Sequence, residues 1–290
     1  MLNYELTYVI PSRIAALLSP FLDHAPKHDE ESPILSAAQL DQVSIYLDLL
    51  LRWNARINLT AVREAEYIVT RHFGESLFAA RCLFAGPDAA FSTPFAGSLQ
   101  ASPSPDSSTQ SDIGPGGPPA FRHGEDVPAP RGDAIHLIDV GSGPGFPGLP
   151  IKIYRPLIRL TLIESNHKKV AFLREVTRAL TLTGVDVFSG RAETYLGDLP
   201  NDQDTAPAPG DASSHTPALA DIVTLRAVER FPSILPTAAN LLRPGGRLCL
   251  LIGQDQVHET ATILPGFQWA QPLAIPLASS RVVLIGCKTD

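Results

Sequence analysis

Ten residues, Asp139 to Gly148, read DVGSGPGFPG and follow the apolar run Ile135-His136-Leu137-Ile138. Leu149-Pro150-Ile151-Lys152-Ile153-Tyr154 comes next, so the stretch joins a buried strand to a helix. Few folds place four glycines within eight residues at such a junction. Without Cβ atoms the backbone takes positive φ and approaches a ligand closely, and N–H groups at a helix start point into the space created. The turn is therefore read as nucleotide-binding. Two cofactor classes fit it. Gly143-Pro-Gly145-Phe-Pro-Gly148 matches the dinucleotide pattern G-x-G-x-x-G, whereas Asp139-Val-Gly141-Ser-Gly143-Pro-Gly145 matches the acidic-x-G-x-G-x-G turn of adenosylmethionine enzymes. Glycine spacing alone does not choose between them, and a tight turn with no ligand is the third reading.

From Ile135 onward strand-like and helix-like segments alternate. Strands are predicted at residues 135–140, 159–163, 185–189, 221–225, 247–252 and 281–286. A helix is predicted over residues 166–181, with Val170, Leu173, Val176 and Leu180 on one face, and another over residues 230–242, before Pro244-Gly245-Gly246. Short buried strands alternating with amphipathic helices mean an α/β fold: a doubly wound, mostly parallel sheet with helices on both faces.

Ahead of this domain, Ser36-Ala-Ala-Gln39 forms a capping box for a helix carrying Leu40, Val43, Leu47, Leu50 and Leu51 and ending near Trp53-Asn54. Asn58-Leu59-Thr60 reads as a break and a new cap, and a second helix is expected from Glu64 to Leu83, with Arg71 and His72 near its middle. The ordinary reading of His72 is a half-buried helical histidine. Four regions result: a poorly ordered terminus (1–35), a helical region (36–84), an insert (85–134) and the α/β domain (135–290). The first insert holds nine prolines and seven glycines in 50 residues, a composition expected to be disordered because it buries too little apolar surface to offset its ordering entropy. A second stretch, 200–219, reads as a flexible insert in the same way.

No apolar run approaches the roughly 18 residues of a membrane helix, and the start of the chain is broken by Glu5, Pro11, Arg13 and Pro20. A cytoplasmic protein with no membrane partner is expected. Cys82, Cys249 and Cys287 match no metal or redox spacing and are read as core thiols, with no metal site. The net charge of −7 is carried by residues 1–42 (−4), 85–134 (−4) and 200–219 (−3), leaving +4 on the remainder. Charge alone thus neither requires nor rules out an RNA partner.

Ligands of such sheets bind beyond the carboxyl ends of the strands. The second strand ends at Glu164, 23 residues past Gly141, where a carboxylate can accept the ribose hydroxyls of either cofactor. The third ends at Gly190-Arg191-Ala192-Glu193, placed for an adenine edge, and the fourth at Leu225-Arg226-Ala227, beside the reacting end. Adenine N6 methylation generally uses an Asn/Asp-Pro-Pro-aromatic turn after the fourth strand, which is absent here. Pyrimidine C5 methylation needs a cysteine in a strand-end loop, yet Cys249 falls inside a strand. A ring nitrogen with its own lone pair, such as guanine N7, needs neither device, and positioning with electrostatics suffices.

Trp53-Asn54 with Asn58-Leu59-Thr60-Ala61-Val62, Arg71-His72 with Glu75-Ser76-Leu77, the DVGSGPGFPGLP turn, Lys168-Lys169 with Phe172-Leu173, Arg191-Ala192-Glu193 and Arg226-Ala227 occur together. This combination resembles the RsmG (glucose-inhibited division protein B) family of bacterial 16S rRNA guanine-N7 methyltransferases, over about residues 40–84 and 135–290. The resemblance implies a Rossmann-like class I adenosylmethionine-dependent methyltransferase with an N-terminal helical extension. It implies adenosylmethionine held by Gly141, Phe146, Glu164, Ala192, Glu193 and Arg226, with Arg226 the candidate for the transfer itself. It further implies Arg71, His72, Lys168 and Lys169 facing ribosomal RNA and guanine 527 in the 530 loop as target; a monomer acting on the small subunit, with no DNA partner, is expected. Two departures stand out: Ile252-Gly253-Gln254 lacks the lysine often found before this glycine, and Glu75 replaces an aspartate. The rival readings are a nicotinamide-dependent oxidoreductase using Gly143 to Gly148 and a non-catalytic ribosome-assembly factor.

Overall fold

The computed structural model describes residues 9–23, 35–84, 134–197, 218–226 and 231–289. The N-terminal part is helical: α1 (Pro11–Asp23), α2 (Ala37–Asn54), α3 (Ala65–Ile68), a π-helical segment (Val69–Gly74) and α4 (Glu75–Phe84). Alternation follows, through β1 (His136–Val140), α5 (Gly148–Tyr154), β2 (Arg159–Glu164), α6 (His167–Ala179), β3 (Val185–Ser189), α7 (Ala192–Gly197) and β4 (Ala220–Arg226). The remainder is α8 (Phe231–Asn240), β5 (Leu242–Gly253), α9 (Gln256–Ile263), β6 (Phe267–Trp269), β7 (Leu273–Ala274) and β8 (Arg281–Lys288).

The sheet order is β3-β2-β1-β4-β5-β8-β6, with β7 also beside β8. The β1/β2, β2/β3, β1/β4 and β4/β5 pairs are parallel, while β8 runs antiparallel to β5, β6 and β7. The chain winds outward from β1 to β3, returns to the centre with β4, and winds out the other way. The carboxyl ends of β1 and β4 therefore flank the point where the direction reverses, which is where such sheets open a crevice for ligands. The doubly wound, mostly parallel sheet is as the alternation predicts. Residues 192–197 (α7) and 256–263 (α9) and the short strands β6 and β7 were not foreseen.

The two faces of the sheet carry different cores. Leu137, Leu160 and Leu162 pack with the apolar faces of α1 to α6, whereas Ile138, Val140 and Val223 pack with Leu235, Ala238 and Val257 of α8 and α9. The N-terminal helices thus share one apolar cluster with a sheet face. The reading of residues 1–35 as a poorly ordered terminus needs correction, because Pro11–Asp23 is a helix. Ile14, Leu18, Phe21 and Leu22 recur at helical spacing and are all buried. Pro11 stands at the first helical position, where its missing N–H costs nothing, so the prolines mask a pattern that is present. The rest of that span, and the inserts 85–134 and 200–219 apart from residues 134, 218 and 219, lie outside the described residues.

The capping box is formed: Ser36 Oγ accepts the Gln39 N–H, and the Gln39 side chain accepts the Ser36 N–H. The expected helix from Glu64 to Leu83 is α3 and α4 joined by the π segment, whose wider turn carries Arg71, His72 and Phe73. Thr60 is not the cap of that helix. Glu64 stands at the cap position without a side-chain capping bond, and the Thr60 hydroxyl is used elsewhere.

Candidate active site

β1 ends at Asp139, which is fully buried. Its Oδ2 accepts the Gly148 N–H (3.1 Å) and its Oδ1 accepts the Thr224 hydroxyl (2.8 Å), so one carboxylate ties the far end of the glycine turn to β4. Burial raises its pKa to about 7, against the opposing pull of those hydrogen bonds. Gly141, Gly143 and Gly145 all have positive φ. At Gly145 (φ +97°) a Cβ would overlap the Tyr46 hydroxyl and come within 2.5 Å of Leu149 Cδ1, so only glycine fits. Gly141 is exposed, and its N–H and that of Ser142 are spent on Ile163 O (2.9 and 3.0 Å). Glu164, at the end of β2, accepts the Gly143 N–H and the Asn166 N–H, each at 2.8 Å. Each carboxylate oxygen keeps a further lone pair, so the group can still accept from a diol. At the end of β3, Gly190 N–H bonds Glu164 O (3.0 Å); Ala192 is buried at the start of α7 and Glu193 is exposed. An exposed glycine at a left-handed bend, a carboxylate at the next strand end and a small buried residue at the third suit an adenosine-bearing ligand.

A second cluster is pressed against this turn. Tyr46 of α2 donates its hydroxyl to Pro144 O, and its ring stacks on Phe146 with centroids 5.3 Å apart. Phe73 and His72 of the π segment approach the Phe146 ring at 5.1 and 4.9 Å. Phe146 is consequently buried among aromatic rings, and its N–H is taken by Ser142 O (3.1 Å).

Arg226 closes β4 on the same cluster. Its Nη2 donates to Arg71 O (2.7 Å) and to His72 Nδ1 (2.9 Å) and pairs in charge with Glu75 Oε2 (3.3 Å), and its Cζ lies 5.9 Å from the Phe146 centroid. Since arginine only donates, His72 Nδ1 must accept; the proton sits on Nε2 and is donated to Thr60 Oγ1 (2.8 Å). Burial, reinforced by Arg226 and Arg71, lowers the His72 pKa to about 3, so the ring is neutral. Glu75, only 2% exposed, gathers three arginines: Arg71 (3.2 Å), Arg226 (3.3 Å) and, from β8, Arg281, whose Nε lies at 3.1 Å.

Residues expected to face RNA therefore divide. His72 has both ring nitrogens occupied inside the protein, which departs from the surface role expected of it. Arg71 is half-buried and paired with Glu75. Lys168 is exposed and Lys169 half-buried at the start of α6, where Asn166 Oδ1 caps their N–H groups (2.9 and 3.3 Å). Arg226 reaches the end of β4 as expected, but its guanidinium is turned toward the N-terminal helices. Tyr46, Thr60, Thr224 and Arg281 were not anticipated as parts of the site. Only long-range geometry reveals them, since Arg281 lies 206 residues from Glu75. Cys249 is buried within β5, where burial raises its pKa, and burial raises that of Cys82 to about 12, so neither thiol is poised as a nucleophile.

A family model described as rRNA small subunit methyltransferase G, GidB, matches residues 39–89 and 128–270. Proteins named ribosomal RNA small subunit methyltransferase G are similar along most of their length. The one from Xanthomonas axonopodis pv. citri is 30% identical over 263 residues, covering 90% of this chain and 92% of that protein. That of Roseiflexus sp. (strain RS-1) is 31% identical over 261 residues (88% and 85%), and that of Chloroflexus aggregans 32% over 258 residues (87% and 82%).

Proposed function

The chain belongs to the GidB family, rRNA small subunit methyltransferase G, and from that premise we propose that it methylates N7 of guanine 527, in the 530 loop of 16S ribosomal RNA. The observation that carries this reading is the union of the two matched regions in one site: Tyr46, His72 and Glu75 from the helices meet Phe146 and Arg226 at the reversal point of the sheet. The cofactor is adenosylmethionine, whose sulfonium supplies an activated methyl group. Gly141 lines its approach with no side chain, Glu164 accepts from the ribose hydroxyls, Ala192 gives the adenine room, and Glu193 accepts from its amino group. Phe146 acts from behind the turn: its ring, wedged between Tyr46 and His72, holds the backbone of Gly143 to Gly145 in place. Arg226 positions the end of β4 through Glu75 and His72, and its charge lies beside the site of transfer.

Guanine N7 carries a lone pair, so this chain has no proton to remove before attack; what it must supply is alignment. A loop guanine suits such an enzyme, because N7 in an A-form helix is hidden in a deep, narrow groove. Lys168 and Lys169, at the start of α6, stand beside the Glu164 strand end and hold phosphates of the same RNA. Among the described residues no helix is long and apolar enough to cross a membrane, and we place the protein in the cytoplasm, acting as a monomer on the small subunit.

Titration calorimetry tests the cofactor assignment. Adenosylmethionine is expected to bind with one site per chain, and Glu164→Ala to weaken it at least about tenfold, the size of one lost charge-assisted hydrogen-bond pair. Binding of a nicotinamide dinucleotide in its place would overturn the assignment.

A further inference from the structure

The loop from 55 to 63, between α2 and α3, is held by backbone bonds of residues 55–57 to Leu51 O and Trp53 O and by the side chains of Asn54 and Thr60. Asn54, buried at the end of α2, accepts the N–H groups of Leu59 and Thr60 on Oδ1 (2.9 and 3.0 Å) and donates Nδ2 to Val62 O (3.4 Å). Thr60 Oγ1 accepts from Val62 N–H (3.1 Å) and from His72 Nε2 (2.8 Å). Leu59 is buried beneath it, and Trp53, just before it, meets the Phe172 ring edge-on at 5.6 Å. Such a loop pays little ordering entropy when it binds a partner.

What this rigid loop presents is charge of one sign. Residues 55–63 contain two arginines, Arg56 and Arg63, and no acid, in a chain whose net charge is −7. Both side chains are exposed, and neither is paired with a described residue, unlike neighbouring Arg52, which is held by Asp48, and Arg13, which is held by Glu66. Glu64, the nearest acid, is exposed one residue beyond the loop. Two consecutive hydrogen bonds link the loop to the carboxyl end of β4: Thr60 to His72 at 2.8 Å, and His72 to Arg226 at 2.9 Å. An unpaired guanidinium matches a phosphate bidentately, and two of them on one firm support match two phosphates of a strand.

We propose that loop 55–63 is a phosphate clamp that seats the substrate RNA strand at the mouth of the cofactor crevice. Arg56 and Arg63 grip the backbone, and the Thr60–His72–Arg226 chain fixes the distance from that grip to the point of methyl transfer. This inference rests on the rRNA reading above and extends it to residues distinct from Lys168 and Lys169. It also gives His72 a role: the neutral imidazole is the rigid spacer between clamp and strand end.

Steady-state methyl transfer to unmodified small subunits, at several potassium chloride concentrations, tests the clamp with the full chain. The double variant R56A/R63A is expected to raise KM for subunits about tenfold or more and to reduce the slope of log KM against log salt by about 1–2, the signature of two lost phosphate contacts. The loss falls on KM and leaves adenosylmethionine affinity by calorimetry as in the wild type. R159A/R178A removes the same charge elsewhere, at the start of β2 and the end of α6, and is expected to keep the wild-type KM and slope. A wild-type slope in R56A/R63A, or an equal loss in R159A/R178A, overturns the clamp while the methyltransferase reading stands. A wild-type protein that transfers no methyl group to subunits overturns the functional reading and the clamp with it.

Discussion

Glu75 is the residue on which the site's electrostatics turn. A carboxylate 2% exposed is shared by the guanidinium groups of Arg71, Arg226 and Arg281, of which Arg226 is itself nearly enclosed. Removing the charge without changing the shape leaves Arg226 buried and unpaired. Glu75→Gln is expected to cost about 2–4 kcal/mol in urea unfolding, below the full value for a buried pair because Arg71 and Arg281 reach solvent. A loss under about 0.5 kcal/mol, the level of an exposed pair, would show that the three arginines are satisfied without it. His136 sets a different condition. Its ring sits between Thr161 Oγ1 (2.9 Å) and Leu219 O (3.3 Å), and burial, ahead of the charge of Arg159, lowers its pKa to about 4. Above about pH 6.5 the ring is neutral whether the chain is folded or not, so it adds no pH dependence. Between there and pH 4 the unfolded chain binds a proton that the folded chain refuses, so stability falls as pH falls. Asp139 has the opposite sign, because its carboxyl, raised to about 7 by burial, holds a proton in the fold that the unfolded chain releases. Comparing unfolding at pH 7 and pH 5, His136→Asn is expected to lose about 2 kcal/mol less than the wild type over that interval. Equal losses would mean that His136 titrates normally in the fold.

Among elements, the glycine turn and the π segment act as one joint. Gly145 faces Tyr46 and Leu149 at a φ that only glycine takes easily, so Gly145→Ala combines backbone strain with overpacking. A loss of about 2–4 kcal/mol is expected, together with weakened adenosylmethionine binding, from thermal unfolding and calorimetry on one preparation. Binding lost at unchanged stability would place the constraint in the ligand instead of in Tyr46. The turn itself was legible from residues 139–148, as were the strands with uninterrupted apolar runs and the Ser36–Gln39 cap, because each signal is local. The π segment was not, since no local pattern in Val69–Gly74 distinguishes it from an α-helix, and the partners of Arg71, His72 and Glu75 lie far away in sequence. The inward bonding of both His72 ring nitrogens was hidden for the same reason. A histidine beside an arginine looks like a basic patch until Arg226, 154 residues away, is seen to occupy its Nδ1. Helix α1 is masked in the sequence although its periodicity is plain, because Pro11 and Pro20 read as breaks around Ile14, Leu18, Phe21 and Leu22.

The whole molecule is held by a core that does not respect the boundary between helices and sheet. Phe21 of α1 lies against Gly74, where a Cβ would come within 2.5 Å of its ring, and belongs to the same apolar cluster as Leu137 and Leu162 of the sheet. Phe21→Ala is expected to cost about 3–5 kcal/mol and to shift a single transition seen alike by tryptophan fluorescence and far-ultraviolet circular dichroism. Two separated transitions would show the helices to be an independent unit. That shared core matters for function because it leaves the clamp loop, the Glu75 cluster and the cofactor turn no freedom to drift apart. The most direct test of the proposed function is transfer of labelled methyl from adenosylmethionine to small subunits lacking the modification, with the product mapped by the strand scission that 7-methylguanosine permits. Scission at guanine 527 of the 530 loop is the predicted result; label on another nucleotide, or none on subunits from a protein that binds adenosylmethionine, would contradict it.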